Sequence, residues 1–124
     1  MIIEQETPVL LETRQQLKAY FSGKLQTFDL PLRLEGTPFR LKVWEQLRCI
    51  PFGYTVSYGD LARRIGQPGA VRAVGGANRH NPIPIIVPCH RVIAADGTIG
   101  GYSGNCEGST PIKRALLNLE GHHF

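Results

Sequence analysis

Fourteen glycines and nine prolines cut this 124-residue chain into short segments, and that punctuation decides what it can fold into. Residues 9–22 carry Leu10, Leu17 and Phe21 at helical spacing, with Gly23 as the stop. Residues 24–36 read as a connecting strand or loop ending at Gly36. Thr37-Pro38 then supplies an N-cap and a proline at the first helical position. The helix that follows places Phe39, Val43, Leu47 and Ile50 on one face, with Trp44 beside them, and stops before Pro51. Ser57-x-x-Asp60 is a capping-box variant that opens a short helix through Leu61, Ala62 and Ile65 to Gly66. Beyond a Pro68-Gly69 turn, a second short helix spans roughly residues 70–79. Two short helices across a tight glycine turn form a helix-turn-helix signature, and a plain helical hairpin fits the same pattern. Gly75-Gly76-Ala77 gives the second helix a small-residue face, which lets its backbone approach a neighbouring helix or a nucleic-acid groove closely.

Asn81-Pro82-Ile83-Pro84 cannot continue a helix, because each proline pushes its predecessor out of the α region. Ile85-Ile86-Val87 is a short buried run leading into Pro88-Cys89-His90-Arg91-Val92. Ile93 to Ile99, with Asp96-Gly97 between, reads as a tight hairpin. After a glycine-rich segment from Gly100 to Gly108, Thr110-Pro111 opens a last helix through Ile112, Leu116, Leu117 and Leu119, closed by Gly121. The length suits one compact core. No apolar run approaches the roughly 20 residues that span a bilayer. The start, Met1 to Glu6, has no basic region ahead of an apolar stretch, so no signal peptide is expected. A cytoplasmic protein without membrane association is the expectation.

The net charge of +4 is unevenly placed: residues 1–35 sum to −1 and the remainder to +5. Between Asp60 and Asp96 there is no acid, and every cation there is an arginine: Arg63, Arg64, Arg72, Arg79 and Arg91. The guanidinium fork matches phosphate oxygens, so this stretch suits phosphate contact, while a solvated basic face fits equally. Cys49, Cys89 and Cys106 are an odd, widely spaced set, which excludes a disulfide framework. No Cys-x2-Cys or His-x3-His spacing occurs, so no metal site is expected. Cys89 alone has a special neighbourhood. A proline fixes the backbone before it, and a His-Arg pair follows, which favours a thiolate. A structural cysteine in a buried loop is the other reading.

Pro88-Cys89-His90-Arg91-Val92 resembles the active-site signature of the O6-alkylguanine-DNA alkyltransferases. Pro51-Phe52-Gly53, Val56-Ser57-Tyr58, Arg72-Ala73-Val74-Gly75-Gly76-Ala77, Asn81-Pro82, Gly101-Tyr102-Ser103-Gly104 and Glu120-Gly121 fall in that family's order and near its spacing, from about residue 8 to 121. The resemblance implies a mainly α fold, a winged helix-turn-helix-like DNA-binding domain with a small β-hairpin. It implies residues 1–36 as a helix and connector left from a larger N-terminal domain, and 37–124 as the catalytic and DNA-binding domain. The implied function is irreversible, stoichiometric transfer of an alkyl group from O6-alkylguanine, and from O4-methylthymine, to Cys89. No cofactor is implied, since the lesion donates the group. The implied partner is double-stranded DNA, engaged through the minor groove by a monomer.

Site roles follow from the same resemblance. Cys89 is the acceptor, His90 takes the thiol proton through a water, and Glu120 polarises the imidazole. Asn81 braces the active-site turn, and Tyr58 hydrogen-bonds guanine N3 as charge develops on the leaving base. Ser103 meets O6, Tyr102 and Gly104 wall the pocket, and the backbone at Cys89 and Val92 reads the purine edge. Arg72 fills the place of the flipped base, with Ala73, Gly75, Asn78 and Arg79 contacting DNA on the same helix. Asn78 and His80 are polar where some relatives carry an apolar residue and a glycine, which bears on flank preference. The stretch from Asn105 to Thr110 is a few residues longer than the family pattern, which bears on pocket shape. Two alternatives remain. One is a non-catalytic alkyltransferase-like damage-binding protein, whose members lack the acceptor cysteine. The other is a winged-helix regulator with a redox-sensitive thiol.

Overall fold

A computed structural model describes residues 8–97 and 109–122 of the chain. Two compact units emerge, Met1–Arg33 and Leu34–Phe124. In the first, helix α1 (Pro8–Phe21) ends where Gly23 takes a left-handed φ of 79°. Gly23 N–H bonds the Tyr20 carbonyl and Lys24 N–H the Ala19 carbonyl, satisfying two terminal carbonyls of the helix. The connector is a loop rather than a strand. The Gln16 side chain nevertheless gives Asp29 a strand-like pairing: its Nε2 donates to the Asp29 carbonyl and its Oε1 accepts from Asp29 N–H, both at 2.8 Å. Tyr20 is fully buried in this unit, with its ring centroid 5.3 Å from Phe21 and 5.4 Å from Phe28.

The second unit contains α2 (Pro38–Arg48), β1 (Val56–Ser57), α3 (Tyr58–Arg64), α4 (Val71–Arg79), a 3-10 turn (Cys89–Arg91), β2 (Val92–Ile93) and α5 (Ser109–Leu119). Thr37 caps α2 as its sequence predicts, its hydroxyl accepting from Arg40 N–H. Gly36 is glycine because a Cβ there would lie 2.7 Å from the Trp44 ring. Val43, Trp44 and Leu47 of α2 are buried, and Trp44 Nε1 donates to the Ala77 carbonyl at 2.8 Å, fastening α2 to α4. Ser57 and Asp60 form the expected capping box, Ser57 Oγ accepting from Asp60 N–H at 3.0 Å and Asp60 Oδ2 accepting from Ser57 N–H at 3.2 Å. With α3 and α4 packed across the Gly66–Gly69 turn, the helix-turn-helix reading holds.

Among the described residues the fold is mainly helical with one small sheet. Its strands run parallel, Val56 beside Val92 and Ser57 beside Ile93. Part of the hairpin expected between Ile93 and Ile99 lies outside the described residues. The core is formed by Leu47, Ile50, Leu61, Val74, Val87, Val92 and Leu117, contributed by α2, α3, α4, β2, α5 and the loops between. Among the described residues, no helix is long and apolar enough to cross a membrane.

Candidate active site

Cys89 opens the 3-10 turn and is 2% exposed. The turn is held by Cys89 N–H to the Val87 carbonyl at 2.8 Å and Arg91 N–H to the Pro88 carbonyl at 3.1 Å. Asn81 supports it from behind: its Nδ2 donates to the Val87 carbonyl at 2.7 Å while its Oδ1 accepts from Ile83 N–H at 3.0 Å. Between these contacts Ile85 adopts a φ of 76°, in the left-handed region that a β-branched residue strongly disfavours. Such strain is of order 1–3 kcal/mol and persists only where neighbouring contacts fix the backbone, which the Asn81 pair does here.

His90 follows and is fully buried, its Nε2 2.7 Å from Glu120 Oε2. Facing a carboxylate, Nε2 carries the proton, which leaves Nδ1 as the acceptor. That Nδ1 is buried and makes no hydrogen bond among the described residues. Burial holds the imidazole below its ordinary pKa. The bond and charge of Glu120 oppose that shift, while Arg91 and Lys113 add to it. Glu120 is shared: Arg91 Nε donates to its Oε1 at 2.8 Å and Arg91 Nη2 to its Oε2 at 2.9 Å. Arg91 also reaches the Ile50 carbonyl at 2.6 Å and lies 5.8 Å from the Phe52 ring centroid. The end of α5 aims the carboxylate inward. Gly121, with φ of 97°, donates to the Asn118 carbonyl and His122 N–H to the Leu117 carbonyl, a Schellman closure with Glu120 at the C-cap.

Two polar side chains join the site that the sequence did not single out for it. Lys113 is fully buried on α5, its Nζ donating to the Val92 carbonyl at 2.6 Å and lying 5.8 Å from the Tyr58 ring centroid. Burial pushes its pKa down to about 8, against which a Cys89 thiolate pulls upward. Asn78 was expected at a DNA surface. It is 2% exposed, and its amide turns inward to the Cys89 carbonyl at 3.4 Å and to the Tyr58 side chain. Tyr58, the first residue of α3, is half-buried. Burial raises its phenol pKa, as does the Cys89 charge, while the Asn78 bond and Arg79 lower it. At Cys89 and Val92, whose backbone was expected to read a purine edge, the carbonyls already accept from Asn78 and Lys113. Each keeps a second lone pair.

Arg72, Ala73 and Arg79 are exposed on α4. The spacing of Arg72, Gly76 and Arg79 sets them opposite the buried Val74, Ala77 and Asn78. A Cβ at Gly75 or Gly76 would meet nothing within 4 Å, so no neighbouring helix requires these glycines. Tyr102, Ser103, Gly104 and Cys106 lie outside the described residues. Cys49 is a free, exposed thiol, far more accessible than Cys89. Among the described residues no group of His, Cys, Asp and Glu side chains is arranged to hold a metal ion.

Residues 38–122 match the family model described as 6-O-methylguanine DNA methyltransferase, DNA binding domain. The constitutive methylated-DNA–protein-cysteine methyltransferase of Bacillus subtilis is 53% identical over 116 residues, covering 94% of this chain and 68% of that protein. The methylated-DNA–protein-cysteine methyltransferase of Mycobacterium tuberculosis is 58% identical over 105 residues, covering 85% of this chain and 61% of that one. The chain thus spans about two thirds of the length of these relatives. The crystal structure of Mycobacterium tuberculosis OGT in complex with DNA superimposes with a TM-score of 0.84 at 49% identity, covering 97% of this chain and 77% of that one. With its buried Cys89-His90 turn, its inward-facing Glu120 and its helix-turn-helix, this chain belongs to the O6-methylguanine-DNA methyltransferase family.

Proposed function

We propose that the chain repairs DNA by moving an alkyl group from O6-alkylguanine onto its own Cys89, once per molecule. The observation that carries this is the buried Cys89 followed by a histidine whose far nitrogen is bound to Glu120 at 2.7 Å. His90 Nδ1 is the free acceptor, so it takes the thiol proton through a water, and Glu120 stabilises the imidazolium. The thiolate attacks the alkyl carbon, the carbon–O6 bond breaks, and its electron pair leaves with guanine while a thioether forms. Tyr58 supplies a proton to the departing base at N3, and Ser103 meets O6. Tyr102 and Gly104 shape the pocket, and Val92 contributes backbone contacts. The lesion provides the alkyl group, so the step needs no cofactor.

A thiol that is 2% exposed cannot meet a base stacked in a duplex, so the base leaves the stack. The exposed face of α4 suits that task. Arg72 takes the vacated position, Arg79 meets phosphate, and the open space over Gly75, Gly76 and Ala73 allows close approach in a minor groove. The solved complex of a relative with DNA supports this reading. Residues 37–124 form the catalytic and DNA-binding unit, acting in the cytoplasm as a monomer.

Intact mass after mixing with an O6-methylguanine duplex tests the proposal. One methyl group should appear, on the peptide containing Cys89, with no second turnover, and Cys89→Ala should bind DNA without gaining mass. Methyl on Cys49 or Cys106, or multiple turnovers, would overturn it. Binding by the native chain with no mass gain returns the non-catalytic damage-binding reading.

A further inference from the structure

Asn78 lies on the helix that carries the exposed arginines, yet its side chain belongs to the other side of that helix. It is 2% exposed, and Nδ2 is 3.4 Å from the Cys89 carbonyl, a long hydrogen bond. The same amide faces the Tyr58 phenol and lowers its pKa, and Oδ1 is buried with no partner among the described residues. An unsatisfied buried acceptor is costly, so an apolar side chain of similar volume would serve packing at least as well. A structural role does not explain this amide.

Resting on the alkyl-transfer reading above, we propose that Asn78 is a positioning residue for the transfer step, acting through Tyr58. As the carbon–O6 bond breaks, its electron pair delocalises onto the purine and N3 gains basicity. The Tyr58 proton moves to N3, leaving a phenolate beside the Cys89 sulfur, which is becoming a neutral thioether. An amide N–H donated to that oxygen stabilises the phenolate, and its bond to the Cys89 carbonyl holds the phenol in register with the thiol. The phenolate then regains a proton from solvent, matching the one Cys89 released to His90. Other groups facing Tyr58 are Arg79 from α4, Lys113 from α5 and Cys89 itself. Arg79 acts by charge alone, whereas the Asn78 amide, bonded to the Cys89 backbone, has an N–H to offer the Tyr58 oxygen.

This arrangement separates rate from stability. Asn78→Leu should slow single-turnover methyl transfer from an O6-methylguanine duplex by about ten-fold, the worth of one hydrogen bond to a charged group. The DNA concentration giving half the limiting rate should not change, and the melting temperature should hold or rise, since the unpartnered Oδ1 is gone. Asn78→Asp keeps the shape but offers no N–H to a phenolate, so it should be at least as slow. In a Tyr58→Phe background, Asn78→Leu should cost nothing further. A wild-type limiting rate in Asn78→Leu and Asn78→Asp, an equal loss with and without Tyr58, or a rate loss that merely tracks melting would overturn the proposal while leaving Cys89 transfer intact. Absence of methyl on wild-type Cys89 would sink the alkyl-transfer reading and this one with it.

Discussion

At the scale of single residues, Glu120 serves two partners at once. It faces His90 with one oxygen and Arg91 with both. Replacing it by glutamine keeps the shape but leaves the Arg91 guanidinium buried without its counter-charge. Breaking such a pair costs about 3–5 kcal/mol, whereas replacing both members by apolar or neutral groups costs far less. Glu120→Gln should therefore lose roughly that much stability in denaturant melts. The Arg91→Met, Glu120→Gln double variant should recover part of it while transfer stays slow. Equal stability of Glu120→Gln and wild type would show that Arg91 does not depend on this carboxylate. His90 carries a sign of its own. Because burial depresses its pKa, the folded chain binds fewer protons there than the unfolded chain near the reference value of about 6.5. Its contribution to stability is complete above that pH and declines as pH falls through the lowered native value. The neutral imidazole needed as a base persists into the same range. The single-turnover rate should accordingly stay level to below pH 6.5 before this group switches it off. A fall centred above that pH would assign the limb to another residue.

At the scale of elements, α4 has two faces with opposite requirements. Glycine inside a helix costs about 0.5–1 kcal/mol relative to alanine, and among the described residues nothing lies within 4 Å of a Cβ built at Gly76. Gly76→Ala should raise stability by about that amount in melts and weaken repair of duplex DNA. Reaction with free O6-benzylguanine, which has no duplex to approach, should be spared. Unimpaired duplex repair would remove Gly76 from the contact surface. The helices themselves were legible from the sequence because proline, glycine and capping residues act locally: Gly23, Thr37-Pro38, Ser57-x-x-Asp60 and Gly121 each mark a boundary found in the fold. The pairing of Val56 with Val92 was not legible, since two-residue strands carry no periodicity and their partner lies far along the chain. Within the candidate site, Cys89 was marked by its neighbours. The family pattern pointed to His90 and Glu120, which the structure brings together. Asn78 and Lys113 had left a quieter signal: both fall in helical phase with buried residues, Asn78 with Val74 and Ala77, and Lys113 with Leu116, Leu117 and Glu120. A polar residue on the inward face of a short helix is worth inspecting before an exposed one.

At the scale of the whole molecule, charge is sorted from chemistry. The acid-free stretch between Asp60 and Asp96 leaves Arg63, Arg64, Arg72 and Arg79 exposed on α3 and α4, while Arg91 is drawn inside to Glu120. Affinity for duplex DNA should fall with salt along a log–log slope of about −0.9 for each phosphate neutralised. Measured across low to moderate salt, a flat line would mean that these arginines do not meet the backbone. The two-residue sheet has a different consequence, one of loop closure. Joining Val56 to Val92 closes a loop that holds α3, α4, the Asn81 turn and the thiol. Closing a loop of that length costs about 3 kcal/mol of chain entropy, which two ladder residues offset poorly. Arg91 reaching the Ile50 carbonyl, and Lys113 reaching the Val92 carbonyl from α5, are the latches that keep the loop shut. The polar groups around the thiol thus double as the loop's fasteners, so the acceptor's surroundings hold only as long as the loop stays closed.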